Sequence, residues 1–323
     1  MPRVAVVGAT GVVGETIIRV LNERGVQTGA VGRFASRARE GIEAVTPERL
    51  AEYDVIFFAS GEDSSEAYAP ALIERGRFVI DNSSTFRMRE GVPLVVPEVN
   101  ASAVNAEHRL FPVANCTAIV LCTALAPIRD RAGLKSVRVA TYQAASGAGR
   151  AGLEELLAGE RAIAGGTPEP PAATFPAPLV RNVVPQIGSF DESGYSGEER
   201  KVADETRKML GLPTLFVSAT TVRVPVRTAH SEAVWLETER DTDVASLAQA
   251  LAAAPGVVYH AEGIVTPRDV EGTDLVHVAR LRQETPDSKR HFVLWCVGDQ
   301  LRKGAATNAV QILELLLERG LVK

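Results

Sequence analysis

Residues 4–7 read Val-Ala-Val-Val, the next seven read Gly-Ala-Thr-Gly-Val-Val-Gly, and apolar residues then recur at helical spacing through Ile17, Ile18 and Leu21. No other stretch constrains the fold as much. A β-branched run without polar alternation is buried on both faces, the condition of a strand inside a parallel sheet. Glycines after it let the backbone approach a pyrophosphate, and a helix start supplies N–H donors. The spacing is GxxGxxG rather than GxGxxG, but its place between strand and helix is the context a dinucleotide site needs. Gly8, Thr10, Gly11, Val12, Val13 and Gly14 are therefore expected to face a nucleotide.

The same alternation continues. Strands are expected over 54–59 and 78–80, with a helix over 65–75 between them. Strands alternating with helices build an open parallel sheet whose ligands bind beyond the strand C-termini. The second strand is expected to end near Ala30-Val31-Gly32. An acid there would bind the ribose of NAD, whereas a base accommodates the extra phosphate of NADP. The chain supplies Arg33, Ser36 and Arg37, with no acid before Glu40, so NADP is the expected cofactor. Arg87 follows the strand at 78–80, placed for bidentate contact with an anion or for solvent.

After residue 115 the character changes. A strand is expected over 137–143, a helix over 153–163, irregular loops over 165–178 and 189–197, and a charged helix over 198–210. Alternating strands follow at 215–226, 231–238, 273–281 and 291–297, which implies a mostly antiparallel sheet of the α+β kind. The expected fold is thus a Rossmann-like α/β nucleotide domain over 1–115, completed by a C-terminal helix over 300–323, and a second domain over 116–299.

Composition sets limits. Lys+Arg 35 against Asp+Glu 40, a net charge of -5 and no long basic run argue against a nucleic acid or an anionic membrane as partner. No apolar run reaches the length of a membrane-spanning helix, and the chain enters its first strand with no room for a signal peptide. Cys116, Cys122 and Cys296 fit neither a disulfide framework nor paired metal spacing, so a reduced, cytoplasmic setting and no metal are expected.

Cys116 follows the apolar segment Phe111-Pro112-Val113 and opens a helical run. A thiol at a helix N-terminus lies beside unpaired N–H groups that favour thiolate, the nucleophilic form; a free cysteine is also, more often, a small buried apolar residue. The segment alone permits both. His230 closes the stretch that begins with Arg223, and stands at a strand boundary, where a histidine is either structural or a proton carrier. Glu198 and Lys201 share one helix face, as an ion pair or as ligands.

Taken together, the glycine turn, Asn82-Ser83-Ser84-Thr85-Phe86-Arg87, Val96-Pro97-Glu98-Val99-Asn100, Asn115-Cys116-Thr117, the run from Thr141 to Gly149, the run from Arg223 to Glu232, and Asp299-Gln300-Leu301-Arg302-Lys303-Gly304 resemble the aspartate-semialdehyde dehydrogenase family over nearly the whole chain. The resemblance implies NADPH-dependent reduction of L-aspartyl 4-phosphate to L-aspartate 4-semialdehyde, with release of phosphate, on the route to lysine, methionine and threonine. It implies a Cys116 acyl-thioester, His230 as acid/base, and Gln143 orienting the acyl group. Arg223 would grip the substrate carboxylate, Glu198 its amino group, and Arg87, Lys201 and Asn115 the phosphate. Ser36, Ser146, Gly147 and Gln300 would join the glycine turn on the cofactor, and a homodimer or dimer-built homotetramer would form through the second domain.

The chain departs from the family pattern where Ala35-Ser36 replaces an Arg-Ser pair and where Ala114 and Thr117-Ala118 flank Asn115-Cys116; neither change removes a reactive group. The related N-acetyl-γ-glutamyl-phosphate reductases carry their cysteine in a Gly-Cys-Tyr-Pro setting that Asn115-Cys116-Thr117 does not match. Short-chain dehydrogenases need a Tyr-x-x-x-Lys pair, and no tyrosine here has a lysine four residues on. A non-catalytic nucleotide-sensing relative would lack the nucleophile, base or arginine, and Cys116, His230 and Arg223 are all present.

Overall fold

All four residues of β1 (Val4–Val7) are buried, as their apolar continuity requires. The computed structural model describes residues 1–26 and 29–322, and the chain divides into two units, Met1–Asn115 with Gly304–Lys323 and Cys116–Lys303. In the first unit, β1 leads through the glycine turn to α1 (Val12–Glu23). Then come β2 (Gly32–Ala35), β3 (Glu43–Ala44), α2 (Pro47–Leu50), β4 (Val55–Phe58), α3 (Glu62–Glu74), β5 (Phe78–Asp81), α4 (Pro97–Asn100) and β6 (Leu110–Pro112). Every pairing is parallel, in the order β3-β2-β1-β4-β5-β6, so the expected Rossmann-like sheet forms. Fully buried Phe34, Ile56, Phe58 and Val79 anchor its core, each worth about 1.5–3 kcal/mol.

The second strand starts and ends later than its pattern predicts. Gly32 opens it rather than closing it, because a Cβ there would overlap the Tyr53 ring. Phe34 then packs edge-on against the same ring at 5.6 Å. A glycine that reads as a breaker is here a close approach between strand and aromatic.

The second unit opens with α5 (Cys116–Ala132) and continues through β7 (Ser136–Gln143), a 3₁₀ turn (Ala145–Ala148), α6 (Gly149–Ala164) and α7 (Gly197–Leu210). The remainder is β8 (Phe216–Arg223), β9 (His230–Glu237), α8 (Val244–Ala253), β10 (Val257–His260), α9 (Pro267–Val270), β11 (Val276–Gln283) and β12 (His291–Gly298). The sheet order is β10-β11-β12-β9-β7-β8, with the three central pairings antiparallel and the two outer ones parallel. β8 stops at Arg223, short of the expected 226, because Pro225 has no N–H and Val226 N turns back to Val224 O. α8 and β10 went unread in the sequence.

Side chains alternate along β7, β8, β9 and β12 of this sheet. Gln143, Arg223, His230, Glu232 and Cys296 are buried on one face, where α5 brings Val120 against Gly298 and Cys122 within electrostatic reach of Glu232. Tyr142, Phe216 and Trp235 are exposed on the other, and Tyr142 touches the ring of Trp295. A π-helical turn, Arg302–Ala306, leads into α10 (Thr307–Glu318), which belongs to the first unit. There Arg24 holds Glu314 bidentately at 2.8 and 2.7 Å, and Asn308 Nδ2 donates to Val95 O. Lys323, the last residue of the expected C-terminal helix, lies outside the described residues.

Candidate active site

Strand direction assembles the site in the second unit. β7 and β8 are parallel and in register, so their last residues, Gln143 and Arg223, lie side by side. β9 runs the other way on the far side of β7, pairing Ser231 with Tyr142, so it begins at this same edge with His230. Two strand C-termini and one N-terminus thus put an amide, a guanidinium and an imidazole on one buried face. Cys116, partly exposed, is the first residue of α5, at the positive end of that helix's dipole.

The Ala144 peptide orders these groups. Its N–H donates to His230 Nδ1 at 3.0 Å, and its carbonyl accepts from Arg223 Nη1 at 2.7 Å. A ring nitrogen that accepts a backbone N–H carries no proton, so the neutral imidazole holds its proton on Nε2. Turning the ring over would bring a C–H against the Ala144 N–H, which fixes the orientation. Burial first, and the neighbouring Arg223 second, hold the His230 pKa well below its ordinary value. His230 is therefore a neutral Nε2–H donor at physiological pH. Burial lowers the Arg223 pKa, while Cys116 and Glu198 act against that shift, which brings the thiol, the guanidinium and the carboxylate into one electrostatic cluster.

Gly147 separates the arginine from the histidine. A Cβ at this position would lie 2.6 Å from Arg223 Nη1 and 3.1 Å from His230 Nε2. Both His230 Nε2 and Arg223 Nε are buried with no hydrogen-bond partner in the protein. Buried donors left without a protein partner are what an anionic or carbonyl ligand satisfies. Gln143 Nε2 donates to Glu198 Oε1 at 3.1 Å, and its Oε1 accepts from Thr141 Oγ1 at 3.0 Å. Glu198 lies in the first turn of α7, whose N-cap Ser196 forms a capping box with Glu199. Glu199 also accepts from Thr221 N on β8 and so anchors the helix start to the sheet edge. Lys201 is one turn further along α7.

Ser146 and Gln300 are buried in the same unit, joined by Gln300 Nε2 donating to Ser146 Oγ at 2.6 Å. Cys122 and Cys296 are buried, and burial raises both thiols far from the thiolate range, as expected of core residues. Among the described residues, no cluster of three or more metal-ligating side chains occurs. Sequence reading missed the Ala144 peptide, the Thr141 hydroxyl and the left-handed Ala229. Backbone groups and φ angles leave no mark in side-chain chemistry, although Thr141 and Ala144 fall inside a motif already singled out.

In the first unit, the turn after β1 fits a nucleotide diphosphate. Gly8 has φ +84°, and a Cβ on it would lie 2.5 Å from Ala59 O in the turn after β4. A Cβ on Gly14 would overlap the Gly8 carbonyl. Gly11 caps α1 with no side-chain acceptor on its first N–H groups. β1 and β4 are also where the strand order reverses, the crevice in which such sheets bind ligands. Because β2 runs to Ala35, Ser36 and Arg37 follow the strand end, whereas Arg33 lies inside the strand with its side chain exposed. Arg87 is buried on the loop after β5, its Nη2 donating to Asn82 O. Asp81 secures that loop by accepting from Ser65 and Ser83. Asn115 is buried at the end of this unit.

Residues 3–107 match the family model described as semialdehyde dehydrogenase, NAD binding domain, and residues 125–303 match the one described as semialdehyde dehydrogenase, dimerisation domain. The aspartate-semialdehyde dehydrogenase of Aquifex aeolicus is 40% identical over 338 aligned positions, covering 99% of this chain and 99% of that protein. The Bacillus subtilis enzyme of the same name is 38% identical, over 99% of this chain and 98% of its own. Among solved structures, aspartate semialdehyde dehydrogenase II from Vibrio cholerae complexed with ASA matches with a TM-score of 0.92 at 38% identity, over 98% of each chain.

Proposed function

The chain belongs to the aspartate-semialdehyde dehydrogenase family, and from that premise we propose that it reduces L-aspartyl 4-phosphate to L-aspartate 4-semialdehyde with NADPH, releasing phosphate, in the cytoplasmic synthesis of lysine, methionine and threonine. The observation that carries this reading is the cluster around Arg223, which Cys116 and Glu198 reach electrostatically, with His230 beside the arginine and Gln143 donating to Glu198.

Cys116 attacks as thiolate, favoured by the α5 N-terminus and the Arg223 charge. Its sulfur forms a bond to the acyl carbon, the bond to the phosphate oxygen breaks, and phosphate leaves with that electron pair. Gln143 orients the resulting thioester. When bound, the reduced nicotinamide supplies the hydride that converts the thioester carbon to the aldehyde level. Negative charge then gathers on the carbonyl oxygen, and His230 Nε2–H donates a hydrogen bond to it, as a preorganised donor does. Collapse of that oxyanion expels the Cys116 thiolate and frees the aldehyde. Arg223 takes the substrate carboxylate and Glu198 its ammonium group; Arg87, Lys201 and Asn115 are assigned to the phosphate on family resemblance.

The residues from Gly8 to Gly14 would hold the cofactor pyrophosphate, and Ser36 with Arg37, in preference to Arg33, its 2′-phosphate. Ser146, Gly147 and Gln300 remain assigned to the cofactor. The exposed aromatic face of the second sheet supports assembly as a homodimer, or a tetramer built from it.

Nicotinamide absorbance followed with aspartate semialdehyde, phosphate and NADP, each omitted in turn, tests the reading. Phosphate-dependent NADPH formation that falls by about 10³-fold or more in Cys116→Ala is expected. Turnover with N-acetylglutamate semialdehyde in its place, or none at all, overturns the assignment.

A further inference from the structure

Ala229 immediately precedes His230 and has φ +70°, the left-handed conformation that a residue with a Cβ rarely adopts. It is fully buried, so neither solvent nor a neighbouring chain end compensates the strain. Its N–H donates to Gln300 Oε1 at 2.7 Å. Gln300 Nε2 donates to Ser146 Oγ at 2.6 Å, and Ser146 Oγ donates to Arg227 O at 2.5 Å. The chain of bonds runs in one direction only. Arg227 O can only accept, so the Ser146 proton points to it and its oxygen is free to accept from the amide. That in turn leaves the Gln300 oxygen for Ala229. Both ends of the chain lie in the segment 227–229 that delivers His230, and backbone bonds from Ala145 N to Val226 O and Ser146 N to Arg227 O fasten the same segment.

We propose that Gln300 is a positioning residue for His230: its carboxamide, braced by Ser146, holds the Ala229 peptide left-handed and thereby sets the direction of the imidazole. This rests on the reading that His230 serves the reaction. It adds to the cofactor role assigned to Gln300 and Ser146, because the polar atoms of the brace are engaged within the protein before any cofactor arrives.

Four variants test it: Gln300→Met, Ser146→Ala, Ala229→Gly, and Ala229→Gly combined with Gln300→Met. Steady-state kinetics and NADP affinity are measured for each, with melting temperature as the check on folding. Gln300→Met is expected to lower kcat about tenfold at saturating NADP while leaving the KM for aspartate semialdehyde within about threefold, since misdirection by a fraction of an ångström acts on chemistry rather than binding. Glycine adopts the left-handed conformation freely, so Ala229→Gly in the Gln300→Met background should restore kcat by about threefold or more. Should Gln300→Met fail to fold, Ser146→Ala breaks the same chain with a smaller loss of volume, and the same pattern is expected at lower amplitude. A loss of kcat that saturating NADP restores, or no rescue by Ala229→Gly, overturns the proposal. If the wild type does not turn over aspartate semialdehyde at all, the function assigned above fails, while the brace is still read from long-range ¹H–¹⁵N spectra of His230. A pure Nε2–H signature that persists unchanged in Gln300→Met or Ser146→Ala would then overturn it, and its replacement by a tautomer mixture would support it.

Discussion

His230 is the residue whose chemistry the fold alters most. Free histidine titrates near neutrality, which makes an acid/base role the natural reading of the sequence. The Ala144 N–H on Nδ1, burial and the Arg223 charge keep the ring neutral and its proton on Nε2. The kcat profile should accordingly carry no His230 inflection near pH 6.5, its acid limb lying well below. An amide can donate but cannot titrate, so His230→Gln should retain about tenfold more kcat than His230→Ala. Equal loss in the two variants would restore the acid/base role. Gly147 gives the second residue-scale expectation. A methyl group there meets Arg223 and His230 head-on, so Gly147→Ala should lower kcat/KM about 10²-fold with little change in melting temperature, measured by kinetics and calorimetry side by side. Cys116, His230, Arg223, Gln143 and Glu198 stand out in the sequence as candidates because their side chains are reactive or charged and fall within or beside the family motifs. Ala144 and Gly147 do their work through a peptide group and a missing Cβ, and only the family motif drew attention to the glycine.

Among the elements, β9 has the most unusual interior. Glu232, two residues beyond His230 on the same face, is fully buried; its Oε2 accepts from Cys296 Sγ at 3.4 Å and its Oε1 has no partner. Burial raises the carboxyl well above the usual carboxylate range, so the folded protein keeps it protonated. The sign follows from proton counting. Above the ordinary carboxylate pKa the unfolded chain has lost this proton and the folded one has not, so Glu232 costs stability as pH rises toward its folded value. Glu232→Gln removes that dependence at nearly constant shape. Its melting temperature relative to wild type should climb between pH 5 and pH 9, and a pH-independent difference would refute the protonated buried acid. His230 acts in the opposite sense, since the unfolded chain gains a proton below about pH 6.5 that the folded ring refuses, so stability falls on acidification. Element by element, strands buried on both faces were legible: β1, β4 and β5 appear close to where continuous apolar runs put them. Short or half-exposed elements were not. β10 carries four partly exposed residues and too little pattern to stand out, and the limits of β2 and β8 depend on a Tyr53 ring and a proline whose partners are far away in sequence or across a turn.

For the whole molecule, family membership was legible in the order of many short motifs rather than in any single one, while the two sheets of different kinds were legible in the change from strand–helix alternation to successive alternating strands. The relation of register to site could not be read so far ahead. That Gln143 and Arg223 are neighbours follows from a parallel pairing between strands about 80 residues apart in the chain, and pairing partners leave no signature in either strand alone. Assembly is the matching expectation at this scale. A charge placed in the exposed aromatic face should split the proposed dimer, so Trp235→Glu is expected to shift sedimentation to the monomer at micromolar concentration while each chain keeps its melting transition. An unchanged sedimentation coefficient would put the contact elsewhere.

The alternation along β7, β8, β9 and β12 makes this sheet a two-sided record. Gln143, Arg223, His230 and Cys296 are written on one side, and Tyr142, Phe216, Trp235 and Trp295 on the other. Alternate positions of each strand therefore meet different surroundings although they share a backbone. A substitution on the exposed side can leave the buried side untouched, and the reverse, one side chain at a time. A one-residue slip in the register of β9 is the change neither side could absorb, because it would turn the imidazole outward and the indole in, exchanging the two records in a single step.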